Sequence, residues 1–226
     1  MKNIAIIPAR RGSKRLPNKN NLLFGGIPLI AHSILLAQKN KDIIDEVYVS
    51  TNDEAIKKIA LEYGVKVIDR PEHLSGEFEP TLTALQHALE VIGDSTVDSV
   101  ILLQPTNPLR PENLLREAFE RYRISDSDSL FTVTRNHQKL GKITSNCFEP
   151  YNYTIGQRSQ DLEPLYFENG LLYISKSKLI REGEIISENS IPYVVNHIFA
   201  GIDIDTQDDF DYAEYLLKKA SRLRST

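Results

Sequence analysis

Residues 6–20 read IIPARRGSKRLPNKN. An apolar run ends at Pro8, and Arg10, Arg11, Lys14, Arg15 and Lys19 then crowd around Gly12 and Ser13. The run at 4–8 (IAIIP) has the length and apolarity of a short strand buried on both faces, a mark of parallel sheets. Residues 9–20 would then lie just beyond the carboxyl end of that strand, where open α/β sheets bind ligands. The positive charge is local, because the 226-residue chain carries a formal net charge of -4. A general attraction to nucleic acid does not explain it.

Working outward, strand and helix patterns alternate. PLIAHSILLAQ (28–38) reads as a helix, with Pro28 suited to its first turn. VYVST (47–51) is a β-branched and aromatic strand. DEAIKKIALEYG (53–64) reads as a helix opened by two acids and closed by Gly64. VKVID (65–69) is a strand, and TLTALQHALEVI (81–92) a helix with Leu82, Leu85, Leu89 and Ile92 on one face. VDSVILLQ (97–104) is a buried strand, followed by a helix over 111–122. This alternation predicts an α/β fold, a mainly parallel sheet covered on both faces. From about 135 to 168 the chain turns polar and irregular, an excursion from the sheet. Strands are predicted again at 170–175, 193–198 and 201–205. A last helix covers 207–219, with Phe210, Ala213, Tyr215 and Leu217 among its apolar positions. No linker or repeat interrupts the sequence, so residues 1–226 read as one domain.

Composition narrows the function classes. With 41% apolar and 26% charged residues the chain reads as globular. The lone Cys147 rules out an intrachain disulfide or a zinc site built on cysteine pairs. A reducing, cytoplasmic setting fits. No apolar run approaches the ~20 residues of a membrane span, and the N-terminal one is too short for a signal core. Partners on a membrane or on nucleic acid are not expected.

In the first turn, Gly12 permits either a positive φ or close approach of a ligand. Successive backbone N–H groups there can form an anion nest. Arg10, Lys14 and Lys19 add a planar fork and two mobile charges suited to a polyphosphate. The competing reading is a solvated basic loop; the strand directly before it favours the anion site. The order of residues fits neither a Walker A loop nor GxGxxG. At the other end of the chain, GIDID (201–205) alternates, so an extended segment would put Asp203 and Asp205 on one side and the isoleucines inside. Such a pair suits Mg²⁺ shared with phosphate oxygens. The competing reading is an acid cluster at a helix start, which accounts for Asp208 and Asp209. A third feature, LLQPTNPLR (102–110), runs a buried strand into Gln104, Thr106, Asn107 and Arg110, between prolines that fix its path. No GxSxG or HExxH occurs, and His32 and His87 read as structural.

With these in place the sequence resembles the acylneuraminate cytidylyltransferases, the CMP-sialic acid synthetase family. The resemblance rests on IIPARRGSKRLPNKN, STNDEAI, DRPEHLS, LLQPTNPLR, RSQDLEPLYFENGLLYI and DIDTQDDF, in family order over almost the whole chain. It implies a three-layer, Rossmann-like nucleotide-binding fold and transfer of CMP from CTP to a 2-keto sugar acid, with release of pyrophosphate. By the same resemblance Ala9, Arg10, Gly12, Ser13, Lys14, Lys19 and Asn20 hold the nucleotide, with Arg70 and Thr81 near the cytidine. Gln104 and Thr106 lie on the sugar side, with Arg158, Tyr166 and Asn169 in the segment closing over it. Asp203 and Asp205 are the implied Mg²⁺ ligands, and Arg10, Lys14 and Lys19 join them as the catalytic set. The excursion is implied to form a homodimer and to lend Lys142 and Arg158 to the neighbouring site. Neuraminic, deaminated (KDN) and bacterial diamino acids all fall within the acceptor class. The RSQDL stretch is closer to relatives acting on modified sugars, and Arg11 and Arg15 make the first turn more basic than in many members. Two other readings remain open: a GT-A-type glycosyltransferase using Asp203-Ile-Asp205 as a DxD site, and a non-catalytic nucleotide-binding protein.

Overall fold

The structure is a computed structural model describing residues 2–224. Its centre is a seven-stranded sheet in the order β11-β7-β10-β6-β1-β4-β5. Those strands are β1 (Lys2–Pro8), β4 (Glu46–Thr51), β5 (Lys66–Asp69), β6 (Val97–Leu102), β7 (Ser129–Asn136), β10 (Leu165–Lys176) and β11 (Ser190–Val194). Two short pairs lie outside it: β2 (Leu23–Phe24) with β3 (Ile27–Pro28), and β8 (Gly141–Thr144) with β9 (Cys147–Pro150). The sheet pairs in parallel except at β10, which runs antiparallel to both β6 and β7.

The apolar run that opens the chain is buried on both sides, as expected. On one face of β1, Ala5 and Ile7 pack with α1 (Leu29–Lys39), α2 (Glu54–Glu62) and α4 (Leu114–Arg123). On the other, Ile4 and Ile6 meet α3 (Thr81–Ile92) and Ile180 of the short α5 (Ser177–Arg181). Each fully buried isoleucine contributes ~1.5–3 kcal/mol relative to exposure, so a strand apolar at every position is stable only between two helical layers. The α/β/α layering follows. α2 begins as its acids suggested: the Asp53 carboxylate accepts from the backbone N–H of Ala55 and Ile56. Its exit passes through Gly64 at φ +69°.

A third apolar cluster positions the ends of the chain. Phe210, Ala213 and Leu216 of α6 (Gln207–Arg224) pack against Leu16 of the first turn and against Ile202 and Ile204. Tyr215, expected among the apolar positions, faces outward at 58% exposure. Leu216 takes the inward place because it lies closer to the helical repeat from Phe210 and Ala213.

Three expectations need correction. Residues 201–205 do not form a strand. A 3-10 turn at Ile198–Gly201 leads into an extended segment outside any sheet, anchored by the Ile204 N–H donating to the Thr106 carbonyl at 2.8 Å. The segment crosses the end of the sheet and has no strand edge to join. The side-chain alternation survives nonetheless, with Ile202 and Ile204 buried and both aspartates turned out. The strand expected at 193–198 ends at Val194, and His197 instead accepts from the Phe199 N–H to start that 3-10 turn. Nor is the excursion irregular throughout. β7 and β10 run on as an antiparallel ribbon as far as Asn136 and Leu165, and β8–β9 form a hairpin over Ser145 and Asn146, both with positive φ. Almost all of β8 and β9 is exposed, so no inside-outside alternation marks them in the sequence. No helix among the described residues is long and apolar enough to cross a membrane.

Candidate active site

The two ends of the chain meet at the carboxyl end of β1. Lys19 is 7% exposed, and its Nζ donates to the Ile204 carbonyl at 2.7 Å and to Asp205 Oδ1 at 2.8 Å. Arg15 Nη2 donates to Asp205 Oδ2 at 2.5 Å. The basic turn and the acidic segment, read separately in the sequence, therefore form one charged junction. The reason is apolar as well as electrostatic, since Leu16 shares a cluster with Ile202 and Ile204. Asp209 is occupied differently: it accepts from the backbone N–H groups of Asp205 and Thr206 and from the Thr206 hydroxyl at the start of α6. Gly12 has φ +81° and open space where a Cβ would stand, so the turn needs its conformation, not room for a neighbour.

Beside the junction lies a cavity of about 220 Å³. Arg10, Ser13, Lys19 and Asn20 line it from the first turn, Arg70 from just beyond β5 and Thr81 from the start of α3, together with Glu79, Gln104, Thr106 and Asp205. Arg70 is 7% exposed, and its Nε and Nη2 are buried without a hydrogen-bond partner. Burial and the nearby Arg10 charge push its pKa down to about 10, so it stays charged at neutral pH. A buried, unpaired guanidinium is costly, and such sites ask for an anion or a carbonyl.

A second cavity, about 470 Å³, shares Gln104, Thr106 and Asp205 with the first. It adds Asp203, Asn107, Glu168 and Tyr173. Desolvation raises the pKa of Asp203, and the charges of Asp205 and Asp209 add to it; a Thr106 hydrogen bond and Lys19 act the other way. Asp203 is exposed to the cleft.

Buried polar groups set the shape of this second wall. Asn107, 1% exposed, donates through Nδ2 to the carbonyls of Ile202 at 2.6 Å and Asn169 at 3.2 Å, joining three segments. Arg110 donates to the carbonyls of Leu171 at 2.6 Å and Gln104 at 2.9 Å and to Ser33 Oγ at 3.2 Å. Asn169 lines the cavity, yet its amide is turned to β7, bonded with the hydroxyls of Thr132 and Thr134. Next to it Gly170 sits at φ +72°, and an added Cβ would lie 3.0 Å from Asn107 Oδ1 and 3.1 Å from Gln104 Oε1. Gly170→Ala is therefore expected to cost ~1–2 kcal/mol from the left-handed backbone alone. Denaturant unfolding with an unchanged midpoint would refute this account of the bulge.

The remaining sequence candidates lie elsewhere in this chain. Ala9 is buried, its N–H donating to the Ser50 carbonyl. Lys14 is exposed and ion-paired with Glu77. Lys142 is on the exposed hairpin, Arg158 pairs with Asp161, and Tyr166 borders a third cavity on the ribbon. Glu168 and Tyr173 escaped the sequence reading. Five residues apart in a regular strand they would face opposite ways. The register slips at the Asn169–Gly170 bulge, so that they sit opposite Val133 and Phe131, only two apart on β7. A glycine after a polar run was the one available signal.

A cytidylyltransferase family model matches residues 4–224. The chain belongs to the cytidylyltransferase family. It is 37% identical to the pseudaminic acid cytidylyltransferase of Campylobacter jejuni over 96% of this chain and 97% of that one. It is 35% identical to the N-acylneuraminate cytidylyltransferase of Streptococcus agalactiae over 93% of this chain. The match spans only 52% of the streptococcal protein, about half its length. Among solved structures, a CMP:2-keto-3-deoxy-manno-octonic acid synthetase complexed with CTP superposes with a TM-score of 0.70 at 16% identity, covering 97% of this chain and all of that one. That likeness bears on the fold alone, and supports the Rossmann-like layering. Membership agrees with the reading of a nucleotidyltransferase that activates a sialic-acid-type sugar with CTP, and does not favour a glycosyltransferase or a non-catalytic binder.

Proposed function

We propose that this cytidylyltransferase joins CTP to a sialic-acid-type 2-keto sugar acid, forming the CMP-sugar and releasing pyrophosphate. The observation that carries the reading is the pair of abutting cavities sharing Gln104, Thr106 and Asp205, one holding three cations, Arg10, Lys19 and Arg70, against the acids Glu79 and Asp205, and the other lined by neutral and acidic groups. The cationic one suits CTP: Arg10, Ser13, Lys19 and Asn20 face its phosphates, and Arg70 supplies an unpaired donor to the nucleotide. Lys14 exchanges Glu77 for the triphosphate. The second holds the acceptor, its anomeric hydroxyl directed across Gln104 and Thr106 at the α-phosphorus.

Phosphoryl-type transfer asks the protein mainly for alignment and charge stabilisation. Holding the acceptor oxygen in line supplies ~7–11 kcal/mol of the barrier. Lys19 keeps its ammonium at the shared wall through its two contacts there, so little reorganisation is needed as negative charge grows on the departing pyrophosphate.

Asp203 and Asp205 fit a magnesium ion. They share the second cavity, Asp203 makes no ion pair among the described residues, and two carboxylates with phosphate and water complete the set such an ion prefers. No cluster of three His, Cys, Asp or Glu exists among the described residues, so the phosphates must supply further ligands. Bound there, the ion would offset phosphate charge. The exposed Ile143, Phe148, Tyr151 and Ile155 of the excursion suit a homodimer, in which Lys142 and Arg158 reach the neighbouring cleft.

The test is pyrophosphate release with CTP and Mg²⁺ across a panel of 2-keto sugar acids, with UTP and ATP as controls. Release specific to CTP and to one or a few acids is expected. Silence across the panel, or equal rates with all three nucleotides, would overturn the reading.

A further inference from the structure

The carboxylate pair read as the metal site carries a competitor of its own. Asp205 presents two oxygens, and a cation holds each: Lys19 Nζ lies 2.8 Å from Oδ1 and Arg15 Nη2 lies 2.5 Å from Oδ2. Asp203 has no ion pair among the described residues. The two cations differ in their freedom to leave. Lys19 is buried and also tied to the Ile204 carbonyl at 2.7 Å, so its ammonium belongs to the frame of the junction. The Arg15 side chain is 68% exposed and makes no other hydrogen bond or ion pair among the described residues. An exposed pair of this kind contributes little to stability, so Arg15 swings away from Asp205 at little cost.

A divalent cation approaching Oδ2 therefore meets a guanidinium seated where it must bind, and the repulsion between them opposes its entry. A triphosphate changes the balance. It draws Arg15, whose planar fork matches phosphate oxygens, and it brings the ion further oxygen ligands. Resting on the function proposed above, we infer that Arg15 is a gate on the metal site: it holds Asp205 Oδ2 until the phosphates of the nucleotide take it over, so that a divalent cation settles on Asp203 and Asp205 with CTP and not before it. Lys14, paired with Glu77, leaves its acid in the same exchange. Asp205 keeps Lys19 on Oδ1 throughout, which holds the carboxylate in place while Oδ2 changes partners.

The test is Mn²⁺ binding to the nucleotide-free protein, followed by loss of the free-ion paramagnetic resonance signal. The parent, Arg15→Gln, Arg15→Lys and Arg11→Gln are compared. Arg15→Gln is expected to bind Mn²⁺ about tenfold more tightly than the parent, the scale of removing a unit charge beside a divalent ion. Arg15→Lys, which keeps the charge, should follow the parent. So should Arg11→Gln, which removes the same charge from the same turn without touching Asp205. Adding Asp203→Asn to Arg15→Gln should erase the gain. Calorimetry of CTP binding with and without Mg²⁺, in the absence of any acceptor, gives the reciprocal measure: the affinity gained from Mg²⁺ should shrink by a like factor in Arg15→Gln. No gain in Arg15→Gln, an equal gain in Arg11→Gln, or a gain that persists with Asp203→Asn would overturn the gate. The metal proposal outlives that result if Asp203→Asn alone weakens the effect of Mg²⁺ on CTP affinity. If Asp203→Asn leaves that effect unchanged, the metal proposal and the gate fall together. Melting temperature confirms that each variant is folded.

Discussion

Asp203→Asn is expected to hold or raise the melting temperature while lowering turnover at least about a hundredfold, the usual scale for losing one charged contact in such a site. The two effects have one cause. In the free protein the Asp203 carboxylate is desolvated and faces the like charges of Asp205 and Asp209, which disfavours its ionised form. An amide of the same shape removes that repulsion and can keep the Thr106 contact. A group that is unfavourable to folding and sits in a cleft is a candidate for ligand chemistry. Asp205→Asn should behave differently and lower the melting temperature, because Asp205 is the counter-charge of the buried Lys19 and an amide keeps an acceptor oxygen without the charge. Thermal melting beside pyrophosphate release separates the cases. Normal turnover of Asp203→Asn at saturating Mg²⁺ would remove Asp203 from the metal proposal.

Arg70→Met is expected to raise KM for CTP about thirtyfold or more, consistent with losing a desolvated charged contact. The variant should be no less stable than the parent. Arg70 buries a guanidinium with two nitrogens unpaired and a second arginine nearby, so the free protein gains nothing electrostatic from it. Methionine fills much of the same space without the charge. Stability in the presence of CTP should reverse the order, since only the parent gains the full ligand-linked stabilisation. If the variant melted well below the parent and bound CTP normally, Arg70 would be a structural residue.

The fold was largely legible because its signals are local. IAIIP is apolar throughout and VYVST and VDSVILLQ are mostly so, and the amphipathic helices between them leave a parallel sheet as the arrangement that buries both. Where both faces of a segment are exposed, as in β8 and β9, burial left no period to read. Where a segment alternates but lies over the end of the sheet, as at 202–205, the facing of its side chains was read correctly and its pairing was not.

From the sequence alone came the helix–strand alternation, the cationic turn after the first strand and the two outward aspartates, because each depends on residues a few positions apart. Only the tertiary structure decided that Lys19 and Asp205 touch across 186 residues, that Arg70 is buried without a partner, and that Glu168 and Tyr173 share a wall. Those facts depend on where the apolar cluster of α6 pulls the chain ends together and on one register slip in β10. Both are settled by packing between distant segments, which no short window of sequence contains.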